Sequence, residues 1–164
     1  MSTVESTMEI DRPVSEVYDR WTRFEEFPAF MEGVEEIRQL DDTTLEWHVS
    51  IAGVDRRFRT EIVEQEPDTR IAWRTEDGED HTGAVTFDQT RDGNTRVKVV
   101  MSYRPENWVE KVADATNIIE GRVNGDLKRF KELAEDRAQD PDGWRGNVAG
   151  GQVTEGDDVV GGNR

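Results

Sequence analysis

The sequence predicts an α+β domain in which a curved antiparallel sheet of seven strands wraps one long C-terminal helix, with two short helices after the first strand. Three observations carry this expectation. Residues 105–136 hold one uninterrupted helical pattern. Six consecutive stretches between Val34 and Tyr103 read as strands, their apolar residues recurring with period two. Ahead of them stand a first alternating stretch and two short segments rich in aromatic residues.

The long helix organises the rest. Pro105 precedes it, and no further proline interrupts until Pro141. At about 100° per residue, Trp108, Val112, Ala115, Ile119, Val123, Phe130 and Leu133 share one stripe. Glu106, Glu110 and Asp114 occupy the first half, and Lys128, Arg129 and Lys131 the second, the order that a helix macrodipole favours. At about 1.5 Å per residue the helix would run roughly 45 Å. A single amphipathic helix is not stable alone, so its stripe needs an apolar partner of similar length. An antiparallel sheet with one wet face supplies one.

In chain order, Ser2–Ile10 alternates weakly and reads as the first strand. Val14, Val17, Tyr18 and Trp21 follow Pro13 at helical spacing, predicting a short helix over 13–23. Phe24, Phe27, Phe30 and Met31 surround Pro28 and predict a second short helix or helical turn. Val34–Leu40 is a strand closed by Asp41-Asp42. Leu45, Trp47, Val49 and Ile51 then alternate with Glu46, His48 and Ser50, the clearest half-buried strand in the chain. Beyond Ala52-Gly53, Phe58, Thr60 and Ile62 point inward with Arg57, Arg59 and Glu61 outward, up to a turn at Glu66-Pro67-Asp68. Ile71 and Trp73 continue the inner face, then Gly83, Val85 and Phe87 after an acidic loop. Asp92-Gly93 is a hairpin signal leading into Val97, Val99, Met101 and Tyr103. The domain is expected to span residues 1–138. Residues 139–164 hold seven glycines among recurring acids and read as a flexible tail.

Composition narrows the function. A net charge of −16 argues against nucleic acid, whose phosphates need a basic face. Four Lys stand against 17 Arg, a bias that fits either a salt-rich cytoplasm or a GC-rich genome. With no cysteine and only His48 and His81, neither a disulfide nor an ordinary metal centre is expected, and no cofactor motif is present. No apolar run approaches the ~18 residues of a membrane span, and the first residues lack a signal-peptide pattern. A cytoplasmic protein with no integral membrane segment is the expectation.

The order strand, two short helices, six strands and long helix resembles the helix-grip fold of the SRPBCC superfamily: START domains, birch-pollen-allergen proteins and polyketide cyclase/dehydrases. The wording RPVSEVYDRWTRFEEFPAFMEGVEEI, RIAWRTEDG, GAVTFDQ and GRVNGDLKRFKELAE is similar to that of the bacterial cyclase/dehydrase-like members, a group that includes the coenzyme-Q-binding proteins. The resemblance covers about residues 3–136. It implies a hydrophobic small molecule as partner, of polyketide, quinone or lipid type.

A sheet curled around a helix leaves a cavity unless its lining fills it. The expected ligand-binding lining is Trp47, Phe58, Thr60, Trp73, Phe87, Met101 and Tyr103 from the strands, with Val112, Ile119 and Val123 from the helix. The alternative is a close-packed core. Gly121 and Gly125 favour a cavity, since each costs about 0.5–1 kcal/mol inside a helix and something must offset that. Gly83 and Ala115 also keep inward positions small. Tyr103 is the best polar tip in this lining. Asp126 falls within the apolar stripe between Arg122 and Arg129, which predicts an intrahelical ion pair over a ligand-binding carboxylate. His48 has outward parity, and His81 ends an acidic loop. The resemblance offers Arg, Tyr, Ser or Trp groups for cyclisation. Here only Tyr103 and Arg59 match, and the parity of Arg59 points outward. Binding of an apolar molecule, a cyclase or dehydratase reaction in the same cavity, and a filled interaction module are the three readings. No catalytic residue is assigned.

Overall fold

The computed structural model describes residues 2–51, 53–76, 81–103, 115–136 and 146–155. Strand β1 (Ser2–Ile10) is followed by helix α1 (Val14–Trp21), a 3-10 helix at Phe24–Ala29, and strands β2 (Val34–Gln39), β3 (Thr44–Ile51), β4 (Val54–Glu66), β5 (Arg70–Thr75), β6 (His81–Gln89) and β7 (Thr95–Tyr103). Helix α2 (Ala115–Glu135) and two short strands, β8 (Asn147–Ala149) and β9 (Gln152–Glu155), complete the order. The sheet runs β1-β7-β6-β5-β4-β3-β2, antiparallel throughout. The seven expected strands are present, and β8 and β9 bring the sheet to nine. Trp108, Val112 and Trp144 lie outside the described residues.

The turns follow their chemistry. Gly53 and Gly93 take positive φ (82° and 81°) in the β3–β4 and β6–β7 hairpins, where a residue with a side chain would be strained. Register shifts at Val34/Glu36 and Ile62/Glu64 mark bulges in β2, at the sheet edge, and in β4, inside it. After the second bulge the inner parity of β4 moves, so that Gln65 and not Glu64 is buried.

Helix α2 lies along the concave face, moored to β1. Lys131 Nζ donates to the Glu9 carbonyl at 3.0 Å, and the Asp11 amide donates to Glu135 Oε2 at 2.8 Å. Ile119, Leu127 and Phe130 are its buried face. Between α2 and the sheet, α1 and the 3-10 helix insert Tyr18, Trp21, Phe24, Phe27 and Phe30, all buried.

The expectation of a flexible tail from residue 139 needs correction for residues 147–155. β3 pairs with β4 only as far as Glu61, leaving the same edge of β4 open from about Val63. β8 fills that vacancy, with Glu64 opposite Ala149 and Gln65 opposite Val148, and Gly151 N–H donating to the Val63 carbonyl at 3.1 Å. Val148 is buried in the main core. Gly150 and Gly151, both at positive φ, make the β8–β9 turn. An open strand edge is a template for pairing, and this chain supplies the partner from its own later residues.

Candidate functional site

Beside Trp21 and Phe30 the gap between sheet and α2 opens into a cavity of about 140 Å³. An engineered apolar cavity of roughly 150 Å³ accepts one benzene, so this space suits a single ring. Its sheet wall is Trp47 and Val49 from β3, Phe58 from β4, Trp73 from β5, His81 from β6, and Val99, Met101 and Tyr103 from β7. Its helix wall is Ile119, Arg122, Val123, Asp126 and Leu127, and the segment Phe30–Val34 closes one side. Trp47 stacks on Phe58 with ring centroids 5.8 Å apart and planes 10° from parallel.

Of the expected lining, Trp47, Phe58, Trp73, Met101, Tyr103, Ile119 and Val123 stand on the cavity wall. Phe87 does not: it packs edge-on against Tyr18 (5.3 Å) and Trp21 (6.3 Å) in the filled core. Thr60, fully buried, is behind Trp47 and accepts its indole N–H at 2.9 Å. Val112 falls outside the described residues.

The glycine argument also needs correction. A Cβ at Gly121 would meet nothing within 4 Å, because this residue is exposed, and one at Gly125 would meet the Arg129 guanidinium at 3.3 Å. Neither makes room for the cavity. Gly83 does have an inward role, but its space is occupied: a Cβ there would lie 2.4 Å from the Trp73 ring. The missing side chain seats the indole.

A polar cluster borders the cavity. Asp126 Oδ1 accepts from Arg129 Nη2 at 2.6 Å and from the Glu32 backbone N–H at 2.9 Å. Arg129 Nε also donates to the Phe30 carbonyl at 2.8 Å. The expected ion pair therefore forms with Arg129, while Arg122 reaches across to Glu32 Oε1 at 2.8 Å. Burial pushes the Asp126 carboxyl up to about 6, against the opposing pull of the Arg129 and Glu32 hydrogen bonds and the nearby guanidinium charges.

His81 is not a loop residue. It opens β6, is 4% exposed, pairs in register with Tyr103, and meets the Phe58 ring edge-on at 5.5 Å. The signal was available, since His81 shares the parity of Gly83, Val85 and Phe87. Leu127 likewise follows Val123 by four residues. Trp21, Phe30 and Met31 sit in the segments expected to form the two short helices and not among the expected lining. His48 and Arg59 are on the outer face, 4.0 Å from Asp55 and 3.5 Å from Glu46 respectively. This takes Arg59 away from the cavity.

A curved antiparallel sheet gripping a long helix over an apolar hollow defines the helix-grip class. The chain belongs to the family of polyketide cyclase / dehydrase and lipid transport proteins, whose model matches residues 10–132. It is 45% identical over 149 residues to an uncharacterised 17.2 kDa protein of Streptomyces lincolnensis, covering 90% of this chain and 99% of that one. Among solved structures, a Deinococcus radiodurans protein aligns with a TM-score of 0.65 at 25% identity, over 82% of this chain and 98% of its own. The Zhui aromatase/cyclase of a Streptomyces species aligns with a TM-score of 0.67 at 16% identity, over 87% and 98%. The latter likeness is one of fold. Among the described residues, no helix is long and apolar enough to cross a membrane.

Proposed function

We propose that this protein binds a hydrophobic or aromatic small molecule, of polyketide, quinone or lipid type, with one ring or chain segment seated in the hollow between the sheet and α2. The observation that carries this reading is the hollow itself, walled by Trp47, Phe58, Trp73, Val99 and Met101 and large enough for one ring. The family description, with its polyketide and lipid chemistry, supports it. We assign the binding to the part of the domain within residues 1–138, since every lining residue falls inside it. The test is titration with an environment-sensitive apolar dye, alongside native mass spectrometry of freshly purified protein. Saturable dye binding that Ile119→Trp abolishes is the expected result. A wild type that binds no dye saturably and carries no apolar compound would overturn the proposal.

A second reading, cyclisation or dehydration of the bound molecule, is favoured by one observation. His81 and Tyr103 form a cross-strand pair and both line the hollow, so two groups able to move protons face the same space. Incubation with a β-keto aromatic precursor, followed by mass spectrometry, tests it. Loss of water, or an isomeric product of changed chromatographic retention, that depends on His81 would support turnover, and a precursor unchanged in both mass and retention would leave binding alone.

A further inference from the structure

Behind the hollow is a second, smaller space of about 50 Å³, lined by Phe24, Leu45, Thr60 and Ile62 among others. The two share four walls: Trp21, Met31, Trp47 and Trp73. These walls are held in different ways. Trp21 is fixed by aromatic contacts on several sides, with Phe130 at 4.9 Å, Phe27 at 5.4 Å and Phe30 at 6.3 Å. Trp73 is seated over Gly83. Met31 is an unbranched thioether that adapts to its surroundings. Trp47 stands between them, flanked by Phe58 at 5.8 Å and Phe27 at 5.9 Å, and among the described residues its polar tie is the indole N–H donated to Thr60 Oγ1 at 2.9 Å.

We infer that Thr60 is a positioning residue that sets ligand size, holding the Trp47 indole as a partition so that the main hollow accepts one ring and excludes a fused pair. Thr60 lines only the rear space, so it acts through Trp47 and not by touching a ligand in the main hollow. The hydroxyl is the only feature of Thr60 that this role needs. A valine has nearly the same shape but cannot accept the indole N–H. The N–H would then lack its acceptor, a cost that shifts the balance against the present orientation and its Phe58 and Phe27 contacts. Once the indole turns aside, the two spaces join and the cavity becomes long enough for a second ring.

The inference rests on the binding role proposed above, and calorimetric titration with phenol and with 2-naphthol separates the two. The wild type is expected to bind phenol and to bind 2-naphthol at least tenfold more weakly. Thr60→Val should erase or reverse that ratio, while Thr60→Ser, which keeps the hydroxyl, should preserve it. Trp47→Phe, which removes the N–H from the other side, should admit 2-naphthol as Thr60→Val does, and serves if the valine variant does not fold. A wild type that binds neither compound would sink the binding role and the inference together. A wild type that binds phenol, with the same size ratio in folded Thr60→Val or Trp47→Phe, would overturn the inference alone.

Discussion

Where α2 ends, the gap between helix and sheet is filled by α1 and the 3-10 helix. Phe130 meets Trp21 at 4.9 Å and Phe30 at 5.1 Å, and Phe24 and Phe27 extend the packing at 5.5 Å. Toward Ile119, among the described residues, Trp21 and the segment Phe30–Val34 only border the same gap, and Trp47, Phe58, Trp73 and Met101 leave a hollow. Both ends are aromatic, so composition does not distinguish them. Among the described residues, the difference is a third layer that fills one end and only borders the other. The hollow is therefore a product of topology and not of small residues, as the positions of Gly121 and Gly125 away from it confirm.

The comparison breaks most visibly at the filled end. Phe130→Ala should cost about 3–5 kcal/mol in urea unfolding, the usual range for truncating a fully buried Phe in packed surroundings. A cost under about 1 kcal/mol would mean that this end is not close-packed. The next effect comes from the hairpin. A chain ending at Asp140 loses Val148 from the core and opens the β4 edge. Burial of a Val contributes roughly 1.5–3 kcal/mol, so Tm should fall by roughly 5–10 °C. An unchanged Tm would show that β8 and β9 add nothing to the filled end.

A smaller effect lies at the polar border. Because burial raises Asp126 to about 6, above its value in the unfolded chain, the folded state binds the extra proton between about 4 and 6. This contribution to stability is fully present below about 4 and is lost as pH rises through 6. After allowing for partial exposure it is worth on the order of 1–2 kcal/mol. Asp126→Asn should lack that pH dependence, so the difference in melting between variant and wild type should swing in favour of the variant from pH 4 to pH 7. A constant difference would refute the assignment. The smallest effect is expected at the hollow end, where Ile119→Trp should cost less than about 1 kcal/mol because the added ring enters open space. A cost of ~1–3 kcal/mol would signal overpacking and a filled interior.

What the sequence revealed and what it hid divide along the same line. The alternation of Leu45, Trp47 and Val49, the Asp92-Gly93 turn and the stripe through Ile119, Val123 and Phe130 are local signals, and they placed the strands and the long helix. Period two says which face of the sheet a side chain takes. It says nothing of the position along the gap, which is why Phe87 had the right face but packs in the filled core. The hairpin at 147–155 was hidden for another reason. Its strands are short and flank two glycines, and their pairing depends on where β3 begins, at Thr44, about a hundred residues earlier. His81 was within reach, two positions ahead of Gly83, where the alternation on its strand becomes evident.

The register between β1 and β7 has a consequence for how the protein is made. Ser2 pairs with Tyr103 and Ile10 with Thr95, so β1 must wait for a partner that emerges from the ribosome about a hundred residues later. At 5–20 residues per second that interval is roughly 5–20 s, and the non-local pairing is slow to form in any case. During it β1 is an unpaired strand. Its outward positions are Thr3, Glu5, Thr7 and Glu9, polar or acidic at every second residue. Charges spaced in this way discourage pairing between nascent copies, so the outer face of β1 acts as a safeguard before the fold exists.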